Sequence, residues 1–414
     1  MIRVVLVSKA LVDSAYRAKA ELIGAEADID LTVIVPATWR EGGRAMAPAP
    51  RGVDYALIPT RVRRPGDFHL HWLPDLGPLL ARLAPDVVHV DDEPYNHVTW
   101  RAMRAARAAG ARTVFFAWQN LARGVPLPFR WLERSVLRSA DGAIAGTESA
   151  AHVLRHKGFW GPLWVLPQFG VDEARFQPAP TEEDPVGQAD VSASAAAQAG
   201  VSASAAARAD VSARVRPLTV GYVGRLVPEK GVDVLVQALA GLEHPWRLEI
   251  AGDGPARAEL TRLLDTLSRS GVPEPLSDRV RFHGWLTGEK LPDFYHHLDV
   301  LVLPSRATRR WEEQFGRVLV EAMACGIPCI GAHTGEIPGV LGDAGLTFPD
   351  GDALALRAAL AALATDRQLR EDLAARGRAR ILEHFTMRRV AAESAAIYRT
   401  VAKRGEKATG ARLY

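Results

Sequence analysis

Two carboxylates stand eight residues apart in WEEQFGRVLVEAMACGIPCIG (residues 311–331): Glu313 and Glu321. From Phe315 the apolar positions Phe315, Val318, Leu319, Ala322 and Met323 have helical spacing. Gly326 and Pro328 stop that helix, and PCIG opens a buried strand. Glu313 therefore falls in the entry loop, and Glu321 at the edge of the buried stripe. A carboxylate there is costly unless something pairs with it. One reading is a Glu that reaches water or a nearby Arg; the other is a ligand that supplies hydroxyls. The helix N-terminus, with Gly316 beside it, also offers free N–H groups to an anion.

A second stretch, VGYVGRLVPEKGVDVLVQAL (220–239), runs a strand into Gly224 and Arg225, then through a short loop to Lys230 and a helix. Gly224 permits close backbone approach, Arg225 carries a fork of donors, and Lys230 is a point charge. Two cations on one strand-to-helix loop suit a diphosphate; a solvated turn with a surface Lys is the alternative. The loop is neither G-x-G-x-x-G nor a Walker P-loop. A third group, Asp91, Asp92 and Glu93, follows a strand end. It is placed to line a cleft on an acceptor side, and is the nearest thing in the chain to a metal cluster.

The elements that position these residues alternate. IRVVLVS, IDLTVIVP, PDVVHV, RTVFFAW and GAIAGT read as strands in the first half, with helices SAYRAKAELIGAE and FRWLERSVLRSA among them. The second half repeats the pattern from PLTVGYVGR onward. Such alternation predicts parallel, doubly wound α/β sheets. Sheets of this kind bind ligands at the C-terminal ends of their strands, and two of them face to face make a cleft. Between the halves, ADVSASAAAQ, AGVSASAAAR and ADVSARVRP are near-copies. Their composition cannot bury enough surface to offset ordering entropy, so 179–216 reads as a dispensable low-complexity insertion. The domain reading is 1–178, then this insertion, then 217–387. A last segment, 388–414, has a helix with no strand after it, expected to return to the first domain.

The 414 residues are 48% hydrophobic and 24% charged, with a formal net charge of +3. That is ordinary globular composition, too mildly basic to imply nucleic acid. The two cysteines, Cys325 and Cys329, give neither a zinc site nor a disulfide framework. No run is long and apolar enough to span a bilayer, and MIRVVLVSKALV is too short and strand-like for a signal peptide. A cytoplasmic protein is expected. Arg130, Arg134, Arg138 and Trp131 on one helix suggest peripheral contact with an anionic membrane, against the alternative of a solvated face.

GYVGRLVPEKGVDVLVQAL, LEIAGDGP, VRFHGWLTGEKLPDFYHHLDVLVLPS, EEQFGRVLVEAMACGIPCIG and GEIPGVLGDAGLTFPDGD resemble, in that order, the C-terminal domain of family 4 retaining glycosyltransferases of the GT-B fold. ADGAIAGTESAAHVLRHKG and VLPQFGVDEARFQP resemble the end of the family's N-terminal domain. The resemblance implies two Rossmann-like domains about a cleft, and a donor that is a nucleotide sugar. It implies that Glu313 faces the donor sugar and Glu321 the ribose hydroxyls. Arg225 and Lys230 would hold the diphosphate, with Gly224 allowing its approach, and Phe315 and Gly316 would lend backbone N–H groups. By this match Glu313, Arg225 and Lys230 are the catalytic groups. With both cations in place no metal or other cofactor is required. The chain departs from the family where a Gly-Gly turn often follows the first strand, and where Ala117 stands in place of a His. Gln119 and Asn120 are the polar candidates there. The expected function is retaining transfer of a hexosyl group to a glycan or lipid-linked acceptor in polysaccharide or glycolipid biosynthesis. The alternatives are a sugar-nucleotide epimerase on the same fold and an inactive nucleotide-sugar-binding module.

Overall fold

A computed structural model describes residues 1–41, 44–49, 54–180, 216–268 and 275–409. The Ala/Ser-rich stretch 179–216 lies outside them except at its ends. The first sheet takes β1 (Ile2–Val7), β2 (Ile29–Pro36), β5 (Ala56–Thr60), β6 (Val87–Val90), β7 (Arg112–Ala117), β8 (Gly142–Ala145) and β9 (Leu163–Val165). Its order is β5-β2-β1-β6-β7-β8-β9, every pair parallel. A separate antiparallel hairpin joins β3 (Trp39–Glu41) to β4 (Arg44–Met46). The second sheet takes β10 (Leu218–Val223), β11 (Trp246–Ala251), β12 (Val280–Gly284), β13 (Val300–Leu303), β14 (Cys329–Ala332) and β15 (Leu346–Phe348). It runs β12-β11-β10-β13-β14-β15, again all parallel.

Strand order fixes where a ligand can enter. In each sheet the first strand sits in the middle, and the order reverses beside it. The crevice of the first sheet opens past β1 and β6, that of the second past β10 and β13. The chain beyond β6 is Asp91, Asp92 and Glu93. Beyond β10 it is Gly224 and Arg225, and beyond β13 it is Pro304 and Ser305. The strands read as near-continuous apolar runs because helices cover both faces; Val87–Val90 and Val300–Leu303 are buried throughout.

The helix Met387–Thr409 lies on the first sheet. Val390, Ala395, Ile397, Tyr398 and Val401 share a core with Val4, Leu6 and Ile23, and Arg399 pairs with Glu26 at 2.7 Å and Asp28 at 2.6 Å. Where it leaves the second sheet, Val171 N–H donates to Phe385 O at 2.8 Å and Met387 N–H to Val171 O at 2.8 Å, so the two connecting segments are stitched together. The Tyr398 hydroxyl meets Nδ1 of the buried His89 at 2.8 Å, and His89 Nε2 has no partner. Tyr398→Phe is therefore expected to cost about 1–3 kcal/mol by leaving His89 wholly unpaired. Urea unfolding checks this; a loss below about 0.5 kcal/mol would contradict it.

The helix Arg367–His384 is one the sequence reading passes over, as are the helices Leu76–Leu83 and His97–Ala108. In Arg367–His384 only Leu373, Gly377 and Ile381 are buried. A single narrow stripe amid charged residues gives little periodic signal.

Candidate active site

The two crevices face each other across a cleft of about 650 Å³. Lys9, Asp91, Asp92, Glu93, Trp118 and Gln168 line its first wall, and Glu313, Gln314, Phe315, Gly316 and Arg317 its second.

Glu313 is the centre of the second wall. Its Oε2 accepts from Lys230 Nζ at 2.5 Å and from the fully buried Ser305 Oγ at 2.8 Å. Lys230 Nζ also lies 4.8 Å from the Trp311 ring centroid. Two candidates from separate motifs are thus ion-paired. The backbone of Glu313 is equally fixed: Glu336 N–H donates to its carbonyl at 3.1 Å. A Cβ at Gly335, whose φ is +52°, would sit 2.0 Å from that carbonyl, so only glycine lets the two loops touch. Gly224 is pressed in the same way by its neighbour. A Cβ on Gly252 would come within 1.9 Å of Gly224 O, so the ends of β10 and β11 close to a bare backbone surface. Arg225, next in line, is exposed; its carbonyl accepts from Tyr222 OH at 2.9 Å, while its guanidinium makes no hydrogen bond or ion pair with the described residues.

Gly316 caps the helix Arg317–Ala324 in the left-handed conformation, φ 77°, and the helix starts two residues later than Phe315. Its N-terminal end meets the cleft, bringing the positive end of the dipole with it. Glu321, one turn in, is buried at 4% exposure with both oxygens occupied: Tyr295 OH donates to Oε2 at 2.8 Å and Arg317 Nε to Oε1 at 2.8 Å. The nearby Arg of the sequence reading is therefore Arg317, four residues back. Its guanidinium also lies 5.4 Å from the ring of Tyr16, on the opposite domain.

On the first wall, Asp91 takes Ser8 Oγ at 2.7 Å and Gln168 Nε2 at 2.9 Å. Asp92 pairs with Lys9 at 2.6 Å and takes Asn96 Nδ2 at 2.7 Å. Beneath them lies Lys19, fully buried, its amine pushed below the usual lysine range by desolvation although Asp91 opposes the shift. Glu93 keeps some exposure as a residue, but its Oε2 is sealed from solvent and has no partner, while Oε1 accepts Trp118 N–H at 2.8 Å. Burial raises its carboxyl to about 7. Among the described residues no group of three or more His, Cys, Asp or Glu is arranged to share a metal ion.

The Glu93 shift has a thermodynamic sign. The folded state holds a proton that the unfolded chain releases near pH 4.5, so stability is undiminished below that pH and falls as pH rises toward 7. Glu93→Gln should remove a penalty on the order of 2–3 kcal/mol above pH 7. Melting temperatures of both proteins at pH 5 and pH 8 check this; equal pH slopes would refute it.

Asn120 and Gln119 part company. Asn120 Nδ2 reaches Glu313 O across the cleft at 3.4 Å. Gln119 is not brought to the cleft; its Oε1 is held by Lys157 at 2.5 Å, because Lys157 sits between it and Glu133. Trp118, which the sequence reading missed, does the joining instead. Its N–H holds Glu93, its carbonyl accepts from Gln314 at 3.3 Å, its indole N–H donates to Gln168 at 2.8 Å, and its ring lies 5.8 Å from Phe315. Ser305 and Tyr295 were missed too. Ser305 carries a signal, since it stands two residues past the end of the strand VLVL and so reaches the ligand-binding edge.

Comparison with known proteins fits this arrangement. Residues 18–167 match the glycosyl transferase 4-like domain, and residues 204–380 match glycosyl transferases group 1. The chain belongs to the family 4 glycosyltransferases of the GT-B fold. Among curated relatives, the D-inositol 3-phosphate glycosyltransferase of Streptomyces bingchenggensis is 32% identical over 280 residues, covering 64% of this chain and 54% of that protein. The lipopolysaccharide core biosynthesis mannosyltransferase LpsB of Rhizobium meliloti is 32% identical over 191 residues, covering 44% and 51%. The chain spans about half the length of the curated relatives it matches. Among solved structures, sucrose-phosphate synthase from Thermosynechococcus elongatus superposes with a TM-score of 0.66 at 20% identity, covering 97% of this chain and 99% of that one. Anabaena HepE in complex with UDP superposes with a TM-score of 0.66 at 17% identity, covering 97% and 100%.

Proposed function

We propose that this protein is a retaining glycosyltransferase that moves a sugar from a nucleoside diphosphate sugar to a hydroxyl of a glycan or lipid-linked acceptor. The observation that carries the reading is the Lys230–Glu313–Ser305 cluster at the strand ends of the second sheet, facing the carboxylates of the first across one cleft. As the glycosidic bond breaks, the diphosphate gains negative charge. Arg225, Lys230 and the end of the helix Arg317–Ala324 stabilise that charge, Lys230 and the helix end being held in place before the reaction begins. Glu313 stands beside Lys230, where the sugar attached to the diphosphate would lie. Glu321 reads the ribose by accepting its hydroxyls alongside Arg317 and Tyr295. Because protein cations neutralise the diphosphate, turnover should be unchanged in excess EDTA.

The solved neighbour HepE was crystallised with UDP-glucose, and a uridine donor is the first to try. Nucleotide sugars screened by thermal shift, then assayed with and without a mixed glycan acceptor, test the reading. Acceptor-dependent release of nucleoside diphosphate is expected. Release or epimerisation that ignores the acceptor points to an epimerase or hydrolase, and binding without turnover to an inactive module.

A lipid-linked acceptor is favoured by the helix Phe129–Ser139. Trp131 is 56% exposed, the preceding Leu127 is 78% exposed, and Arg130, Arg134 and Arg138 are exposed on the same helix. No helix among the described residues is long and apolar enough to cross a membrane, so contact on the cytoplasmic face would be peripheral. Flotation with phosphatidylglycerol vesicles, lost in Trp131→Ser, is the test.

A further inference from the structure

Charge is unevenly spread in the cleft. Asp13, Asp91, Asp92, Glu93 and Glu313 line it, the last matched by Lys230 at 2.5 Å, against two lining cations among the described residues, Lys9 and Arg317. Both cations are already spoken for, Lys9 by Asp92 at 2.6 Å and Arg317 by Glu321 at 2.8 Å. The buried Lys19 lies behind Asp91 and donates to Gln168 O at 3.0 Å, so it gives the opening no exposed ammonium. Between the carboxylates stand apolar faces: Tyr16, Met46, Phe116 and Trp118, with Phe68 still 44% exposed. Carboxylates that accept hydroxyls, beside rings that pack against C–H faces, are the two contacts a sugar ring makes.

We propose that the acceptor group admitted to this cleft is an uncharged, hydroxyl-rich ring, and that the first wall rejects acceptors bearing phosphate next to the reacting hydroxyl. The inference rests on reading the cleft as a transferase site. A phosphate entering here meets carboxylates and finds each lining cation neutralised. To be held it would have to break the Lys9–Asp92 pair and leave Asp92 uncompensated at 8% exposure. A neutral ring keeps that pair, and its hydroxyls can donate to the remaining lone pairs of Asp91 and Asp92 at the cleft wall. Specificity of this kind comes from repulsion as much as from attraction.

The test has two arms on the full chain. In the first, quenching of the cleft tryptophan is taken as the difference between wild type and Trp118→Phe, with iodide and caesium as probes normalised to a free tryptophan amide. Caesium should quench at least threefold more efficiently than iodide, and Asp13→Asn/Asp92→Asn should narrow the ratio. Equal quenching by the two ions overturns the proposal. In the second, protein saturated with UDP is offered myo-inositol or its 3-phosphate, and methyl glucoside or glucose 6-phosphate, with binding read by saturation-transfer NMR. The neutral member of a pair should bind at least tenfold better; a preference for the phosphorylated member overturns the proposal. Calorimetry with UDP separates the two levels. Absence of UDP binding removes the transferase reading and leaves the quenching result standing. UDP binding with a preference for phosphate removes only the inference.

Discussion

Glu313→Ala is expected to lower turnover by about a hundredfold to a thousandfold, the loss typical of one preorganised polar contact at a reacting centre, while nucleoside diphosphate affinity holds or rises. The second half follows from the 2.5 Å pair. In the free protein Glu313 occupies the Lys230 ammonium, and a diphosphate must share that cation with it. Removing the carboxylate frees Lys230 for the phosphates but leaves nothing opposite the sugar. The change should therefore fall on kcat rather than on nucleotide binding. Calorimetric titration of UDP beside steady-state kinetics decides. If the variant loses nucleotide affinity tenfold or more, Glu313 holds the nucleotide and the donor lies the other way round.

Arg225→Ala and Lys230→Ala should each cost roughly 2–4 kcal/mol in transition-state stabilisation, by analogy with lost oxyanion contacts. The structure separates their roles. Arg225 is exposed and unpaired among the described residues, so its whole charge is available to a ligand. Lys230 is already partly neutralised by Glu313, so its loss should weaken diphosphate binding less than the loss of Arg225 does. The double variant should be worse than either single one but less than additive, since both serve one group. Uridine without phosphates should bind almost unchanged. Equal losses for uridine and UDP would remove the diphosphate assignment.

Much of this architecture is legible in the residues. Short apolar runs rich in Val such as IRVVLV and LTVGYV read as strands covered on both faces, and alternation with helices makes the sheets parallel. Glu313, Arg225 and Lys230 stand out as candidates because each sits beside a strand or helix end, but their roles rest on the family resemblance, since the residues alone leave a solvated turn and an Arg-paired Glu open. What could not be read is how distant segments complete one another. Nothing near Glu321 announces that Tyr295, from another helix, will donate to it, nor that Lys230 will reach Glu313. In the run Asp91–Asp92–Glu93 the three carboxylates look alike. Only burial distinguishes them, pairing Asp92 with Lys9 and sealing Glu93 away. Gln119 and Asn120 are adjacent and chemically similar, and a neighbouring lysine decides which one faces the cleft.

The helix Met387–Thr409 completes a core whose other members lie between Ile2 and Phe169. During synthesis, that face of the first sheet has to wait. Its strands emerge from the ribosome early, yet Val390, Tyr398 and Val401 follow only after the whole second domain. At roughly 5–20 residues per second the interval is on the order of ten seconds or more. For that time Val4, Leu6 and Leu31 border an apolar surface without its lid, and a nascent chain in that condition is a substrate for chaperones. The second domain, by contrast, can close its own sheet as soon as β15 has been made. The order in which the two halves mature should therefore be the reverse of the order in which they are translated.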